Sequence, residues 1–197
     1  MLERDHAARQ ADDMRWEGLF ADLEAQADAL EVIDRSVEVA ERARLEIARL
    51  RFRDRLGAAV GLSLRLCCLG PVELHGQIRR VGPDWALLEE DGGREAIISL
   101  ASVTWVSRLG RLSSVPDSEN AVPSRLGLAY ALRGVVRDRS TVRIHVNDGT
   151  MLDGTLDRVG ADFVELAAHP RAEPRRRLDV REVYTVPLIA ISVVQRG

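Results

Sequence analysis

The feature that most constrains this chain is a thirteen-residue stretch that occurs twice. It reads GQIRRVGPDWALL from Gly76 to Leu88 and GTLDRVGADFVEL from Gly154 to Leu166, 78 residues further along. Six of the thirteen positions are identical, and Trp85 in the first copy is matched by Phe163 in the second. An internal match of this length predicts two copies of one structural unit before any other motif is considered.

The match extends on both sides of this stretch. Residues 64–68 (LRLCC) correspond to 142–146 (VRIHV), and 101–106 (ASVTWV) correspond to 189–194 (IAISVV) at an offset of 88, so the second copy has ten additional residues. The apolar segments are short and evenly spaced, which predicts small β-barrels. Asn147-Asp148-Gly149 predicts a tight hairpin turn, and the strand-interior Gly76 and Gly154 predict bends.

The segment NDGTMLDGTLDRVGADFVEL resembles the first motif of Sm and Sm-like proteins. The resemblance covers about half of the chain and implies a fold with a helix followed by five bent strands; SH3-like barrels fit the pattern almost as well. Many Sm-like proteins bind uridine-rich RNA. The positions of the family's RNA-contacting Asp and Asn are occupied by Gly160 and Val164, and by Gly82 and Ala86 in the first copy. The resemblance therefore implies the fold and not a base-specific pocket.

The first third of the chain predicts a long helix. From Met14 to Leu56 it contains no proline, and apolar residues recur in steps of three and four. A single apolar stripe on so long a helix requires another helix as its partner. We favour a partner chain in a coiled coil, and hence a homodimer; a hairpin that folds back near residues 34–36 is the alternative. The predicted dimerisation residues are Leu23, Leu30, Ile33, Val37 and Ile47.

These segments together predict an α+β fold in which a long N-terminal helix precedes two Sm-like or SH3-like barrels. The predicted domains are a helical arm (1–60), a first barrel (61–107), a linker with a short helix (108–140) and a second barrel (141–197). The short helix is expected over Arg125–Arg137, so that each repeat unit consists of a helix and a barrel. Trp85 and Trp105 are expected in the cores of the barrels.

The additional residues of the second copy have an unusual composition. Residues 169–177 (HPRAEPRRR) contain two prolines and end in three consecutive arginines. Guanidinium groups bind phosphate or carboxylate through paired hydrogen bonds, so Arg171, Arg175, Arg176 and Arg177 are the candidate contacts for a nucleic acid or an acidic protein. A solvated hairpin tip is the equally weighted alternative.

Composition and motifs argue against several other classes of protein. No apolar run is long enough for a transmembrane helix, and the N-terminus lacks an apolar signal core. Cys67 and Cys68 are adjacent, cannot easily bridge each other, and show no zinc-binding pattern, so reduced thiols are expected. No catalytic constellation or phosphate loop is present, so we expect neither an enzyme nor a metal or other cofactor. All 28 basic residues are arginine, as in GC-rich bacterial genomes.

The sequence therefore favours a non-enzymatic interaction or scaffold protein of the cytoplasm, with an unidentified protein partner and no membrane association. The net charge of −3 supports this interpretation over nucleic-acid binding. The alternative is an Sm-like, RNA-associated regulator that uses the arginine-rich segment 169–177.

Overall fold

The computed structural model describes residues 41–110, 126–169 and 182–196. The chain divides into two compact units, one ending at Leu50 and one running from Arg51 to Gly197. Helices and strands are numbered below in chain order.

The helical segment at the end of the first unit ends earlier than the sequence predicts. Helix α1 is described over residues 41–49 and stops there, and a second helix, α2, spans Phe52–Gly57. Between them the backbone of Arg51 is extended, at φ −94° and ψ 154°. The backbone amide of Arg51 donates a hydrogen bond to the Asp54 carboxylate at 3.1 Å. This hydrogen bond caps the start of a new helix, because in a continuous helix the Arg51 amide would instead donate to a backbone carbonyl of the preceding turn. The prediction of one long N-terminal helix with a coiled coil is therefore wrong; residues 14–40 of that prediction lie outside the described residues.

The first five strands follow α2 and are joined mainly by tight turns. Their bounds are Ser63–Cys68 (β1), Val72–Val81 (β2), Trp85–Glu90 (β3), Glu95–Ser99 (β4) and Val103–Ser107 (β5). A single turn of 3-10 helix, Leu100–Ser102, connects β4 to β5. Most show the period-2 burial of strands with one face in the core, such as exposed-buried-exposed-buried at the start of β1.

The second group of strands follows an eleven-residue helix, α3, at Leu128–Asp138. The bounds are Thr141–Val146 (β6), Met151–Val159 (β7), Phe163–Ala168 (β8), Glu182–Pro187 (β9) and Ile191–Arg196 (β10). Leu188–Ala190 forms the 3-10 turn between the last two strands. The predicted helix at Arg125–Arg137 thus exists within a few residues of its expected bounds, because its apolar residues face the second core.

The ten strands of the described residues belong to one antiparallel sheet. Their order is β5-β1-β2-β3-β4-β10-β6-β7-β8-β9. Strand β10 pairs with β6 on one side and with β4 on the other, so it joins the two groups of strands. The predictions of two separate barrels, and of two independent helix-plus-barrel repeat units, are therefore wrong. Alternation along a strand indicates which face is buried but not which strand lies beside it.

Two apolar cores lie against this sheet, and both extend across the place where the strand groups meet. The first is built on α2 and strands β1 to β4, yet it includes Val193 of β10. The second is built on α3 and strands β6 to β10, yet it includes Trp85 of β3. The indole Nε1 of Trp85 donates a hydrogen bond to the Leu126 carbonyl at 2.7 Å, just before α3. Trp85 is therefore a core residue, as the sequence predicts.

Two glycine positions explain how the longest strands pack. Gly76 of β2 and Gly154 of β7 lie opposite Glu90 and Ala168, where the neighbouring backbone comes so close that a Cβ atom would lie within about 2.2 Å of a carbonyl oxygen. The predicted hairpin between β6 and β7 is confirmed: Gly149 has φ +91°, and the Val146 amide donates to the Thr150 carbonyl at 2.9 Å.

Among the described residues, no helix is long and apolar enough to cross a membrane. Cys67 and Cys68 are both free.

Candidate interaction surface at the sheet edges

The junction between β4 and β10 shows how two strand edges of this chain recognise each other. The paired residues are Ile98 with Val193, Ile97 with Val194, and Ala96 with Gln195. Ile98, Val193 and Ala96 have no measurable exposure, and Val194 is 2% exposed. The contact therefore combines a backbone ladder with a dry apolar strip, which is the usual basis of stable strand pairing.

Polar side chains fix the position of β10 in this junction. Gln195 donates from Nε2 to Glu90 Oε1 at 2.7 Å, and its Oε1 lies 2.8 Å from Nε2 of the buried His145. On the other side the Ser102 hydroxyl donates to the carbonyl oxygen of Ser192 at 3.1 Å. Because buried polar groups are costly unless they are paired, this network disfavours any other register between the two strand groups.

The first end of the sheet is β5, which has a hydrogen-bonded neighbour, β1, on one side within the described residues. Trp105 is 41% exposed here, and the Arg65 guanidinium lies 5.7 Å from its ring centroid. Arg65 also donates to Glu73 at 2.8 Å. This stack of cation on indole covers one part of the ring and leaves an aromatic surface beside the strand edge.

The other end of the sheet is β9, which pairs with β8 on one side within the same part of the chain. Val183 is 53% exposed, and Thr185 is also exposed. The Glu182 carboxylate accepts a hydrogen bond from the Tyr184 hydroxyl and thereby raises the pKa of Tyr184 above its ordinary value. Beyond the strand, Ile189 is 84% exposed.

An open strand edge offers a row of backbone donors and acceptors together with alternate side chains. Such an edge can bind an extended segment of another chain, with affinity from the backbone and specificity from the side chains. Exposed edges are usually blunted by lysine, by a bulge or by proline. Edge β9 has Pro187 at its last position, whereas the exposed Trp105 of β5 offers an apolar contact.

The histidine and cysteine side chains of the described residues lie in separate structural contacts. His75 Nδ1 lies 2.7 Å from Asp91 Oδ2 in an exposed pair. His169 Nε2 lies 2.8 Å from the Thr155 hydroxyl, in a buried site at the end of β8. Burial raises the pKa of Cys68 to about 11, which keeps its thiol protonated. Among the described residues, no three His, Cys, Asp or Glu side chains are grouped to hold a metal.

Most of the residues predicted as contact sites lie outside the described residues. These are Arg171, Arg175, Arg176 and Arg177, and the dimerisation residues Leu23, Leu30, Ile33 and Val37. Ile47 lies in α1 and is 67% exposed. The roles of all these positions stay predictions.

Sequence reasoning missed the role of Trp105. The repeat aligns it with Val193, and a core position was expected; Val193 is fully buried but Trp105 is 41% exposed. The difference arises because Val193 has β4 beside it, whereas Trp105 lies on the last strand of the sheet. Strands β5 and β10 differ in their surroundings. The one signal of this in the sequence is a bulky indole, Trp105, where the other copy has valine.

Comparison of the chain with models of protein families, with curated proteins and with solved structures finds no match.

Proposed function

We propose that the protein is a non-enzymatic interaction scaffold of the cytoplasm that binds other proteins at the two ends of its sheet. The observation that supports this most directly is the exposed apolar surface beside each terminal strand, at Trp105 on β5 and at Val183 on β9. A partner that adds an extended segment there would extend the existing ladder and cover these side chains.

We expect no catalytic activity, because the reactive side chains named above are buried or already in contact with a neighbouring side chain. Cys68 is buried and protonated, while His145 and His169 lie within hydrogen-bonding distance of a neighbouring side chain. A depression between α3 and the β4–β10 junction is lined mainly by apolar surface, and Glu95, Asp138 and Arg196 also line it. Arg196 lies 3.4 Å from both carboxylates, which favours a structural ion pair there.

A photo-reactive residue placed at Thr104 on β5 or at Val183 on β9 tests this proposal in cells that naturally express the protein. We expect adducts with defined segments of particular proteins, identified by mass spectrometry. Tyr130, which is 54% exposed on α3, is the matched control position. Adducts at Thr104 should disappear when Trp105→Asp is introduced. Equal labelling at Tyr130, or adducts that survive Trp105→Asp, would count against the proposal.

RNA binding is the second candidate function, and one observation favours it. The segment that contains Arg171, Arg175, Arg176 and Arg177 connects β8 to β9, so both of its ends are attached beside the open edge β9. If RNA is the partner, replacing Arg175, Arg176 and Arg177 together with Ala should weaken binding to single-stranded RNA. It should also reduce the salt dependence by roughly one unit of slope per lost phosphate contact. Unchanged binding in that variant would exclude this candidate.

A further inference from the structure

The depression between α3 and the β4–β10 junction is built by both groups of strands. Its apolar lining comes from Leu87 of β3, Ile97 of β4, Val142 of β6, Val194 of β10 and Val135 of α3. Leu87 is paired with Ile97, and Ile97 with Val194, so these three residues form a row across the junction. The depression encloses about 310 Å³, including the part that opens to solvent. This volume is at the lower end of the range for small-molecule sites.

The row stays partly uncovered because of where α3 lies. Helix α3 packs chiefly on β7, so its cover ends short of the strands β3 and β4. Val142 and Val194 are buried, whereas Leu87, Ile97 and Val135 remain partly exposed although they pack against the second core. An apolar ligand that covers these side chains removes their surface from water, which is favourable.

Three charged side chains line the same depression and leave it with a surplus of negative charge. Arg196 lies 3.4 Å from Glu95 and 3.4 Å from Asp138, so one guanidinium serves two carboxylates. Asp138 is also the last residue of α3, where the helix dipole adds partial negative charge. Arg137 and Arg139 adjoin Asp138 in the chain but do not line the depression. The site therefore favours a cation beside its apolar surface.

Such a cation can take the place of the Arg196 guanidinium at little cost. The side chain of Arg196 is 47% exposed, and those of Glu95 and Asp138 are 45% and 52% exposed. Ion pairs this exposed contribute little to stability, because water screens them and two side chains must be held in one geometry. An ammonium group has three donors, so it can bond to both carboxylates while the guanidinium turns to solvent.

We propose that this depression binds a small organic cation, an amine whose apolar group is about the size of a hexyl chain. The apolar group lies over the row at Ile97, and the ammonium group bonds to Glu95 and Asp138 in place of Arg196. The site is separate from the two ends of the sheet and is independent of what binds there. Because the ligand contacts β3, β4, β10 and α3, it stabilises the junction between the two groups of strands.

Titration of the full chain with hexylamine, followed by NMR of labelled Ile, Leu and Val methyl groups, tests the proposal. The chain contains a matched set of probes. Ile97 and Val194 line the depression, whereas their neighbours Ile98 and Val193 belong to the first core. We expect shifts that saturate with hexylamine at Ile97 and Val194 and none at Ile98 and Val193. No saturable shift at Ile97, or equal shifts at Ile98, would overturn the proposal.

Two further ligands of the same length separate the apolar contact from the charge. Hexan-1-ol has the same chain without a charge, and hexanoate carries the opposite charge. Hexylamine should bind at least roughly threefold more tightly than hexan-1-ol, and hexanoate should bind most weakly, because the ammonium gains two exposed ion pairs. Equal affinities for hexylamine and hexan-1-ol would mean an apolar cleft without preference for a cation, and the proposal would be wrong.

Substitution of the charged residues tests their separate roles. Glu95→Gln and Asp138→Asn should each weaken hexylamine binding by roughly two- to fivefold and leave hexan-1-ol binding unchanged. Arg196→Gln should instead tighten hexylamine binding, because it removes the competing guanidinium. Arg158→Gln removes an exposed arginine that pairs with Glu165 elsewhere, and as the matched control it should change neither. Weaker hexylamine binding in Arg196→Gln, or unchanged binding in both carboxylate variants, would refute the proposed arrangement.

Thermal unfolding locates the site without assigned methyl signals. A ligand that binds only the folded chain raises its melting temperature. Hexylamine should raise the melting temperature of the wild type and raise that of Val135→Phe by less, because the added phenyl ring fills the depression. An equal rise in the two proteins would contradict the proposed location.

Discussion

Replacing Gly154 with Ala is expected to destabilise the protein strongly, although it adds a single methyl group. A Cβ atom at this position would lie 2.2 Å from the Ala167 carbonyl oxygen and 2.9 Å from its carbonyl carbon. Both are backbone atoms of the neighbouring strand β8, which is held on its far side by β9. The clash cannot be relieved by rotating a side chain, so one strand must move and its ladder must weaken.

The expected loss follows from the cost of forcing an extra methyl into a close-packed region. Such overpacking typically costs about 1 to 3 kcal/mol, and a contact with backbone belongs in the upper part of that range. For a chain of this length a loss of 1 kcal/mol lowers the melting temperature by about 2 to 4 °C. A loss of about 2 to 3 kcal/mol therefore predicts a decrease of about 4 to 12 °C. Gly76→Ala should behave alike, since its Cβ would lie 2.1 Å from the Glu89 carbonyl oxygen.

The matched control is the same chemical change at Gly134 in α3, where an added Cβ meets no atom within 4 Å. Alanine is favoured over glycine inside a helix by roughly 0.5 to 1 kcal/mol, so Gly134→Ala should raise the melting temperature. Thermal unfolding followed by circular dichroism compares the three variants directly. If Gly154→Ala melts within a degree or so of the wild type, the close backbone approach at this strand pair does not exist as described.

Three further predictions, two of them on substituted proteins and one on the wild type, test separate parts of the structure. Asp84→Ala should lower the free energy of unfolding by about 1 kcal/mol, because the Asp84 carboxylate caps α3 through the Leu128 amide at 2.8 Å. Arg158 lowers the pKa of Glu165, so the stability that this pair supplies is present above the unfolded pKa of about 4.3 and is lost as the pH falls through the folded pKa. The difference in melting temperature between the wild type and Glu165→Gln should therefore shrink below about pH 4. Cys68 should react with a thiol reagent at about pH 8 only as fast as the protein unfolds, because burial raises its pKa to about 11.

Each of these three predictions has a control or an outcome that would contradict it. Asp162→Ala, at the turn before β8, retains the backbone hydrogen bond that the Asp162 carbonyl accepts from Leu188, and should cost less than Asp84→Ala. A melting difference for Glu165→Gln that stays constant with pH would contradict the role of its ion pair. Cys67 is more exposed than Cys68 and should be modified first; equal rates would contradict the burial of Cys68.

The sequence was sufficient to predict local structure wherever the signal is local. Asn147 to Gly149 was expected to form a hairpin turn, and it does, because a positive φ at Gly149 is accessible to glycine at little cost. The strand-interior Gly76 and Gly154 were expected to mark bends, and what the structure shows at each is a neighbouring carbonyl oxygen that lies too close for a side chain. The hairpin prediction succeeds because glycine has a backbone preference of its own.

The prediction of a long helix failed for a reason that is also local but easily overlooked. Helix propensity is high from residue 41 to Leu56, and no proline or glycine interrupts it. The chain nevertheless breaks before Phe52, where the Asp54 carboxylate bonds to the Arg51 amide. Propensity summed along a segment cannot detect a cap inside it, since each contributing residue is a good helix former elsewhere.

The candidate interaction surface could not be predicted because it depends on the neighbours of each strand. Val193 and Trp105 align in the sequence and both lie on strands of similar length, yet one is fully buried and the other is 41% exposed. What distinguishes them is that β10 has β4 beside it and is held there by Gln195 bonded to Glu90, a contact between residues 105 positions apart. Alternating polarity specifies a strand and its buried face, whereas the neighbour is selected by side-chain contacts between distant parts of the chain. The pattern that predicted two closed barrels is therefore equally satisfied by strands that join across the two groups, and joining them in this way is what leaves β5 and β9 at the ends of the sheet.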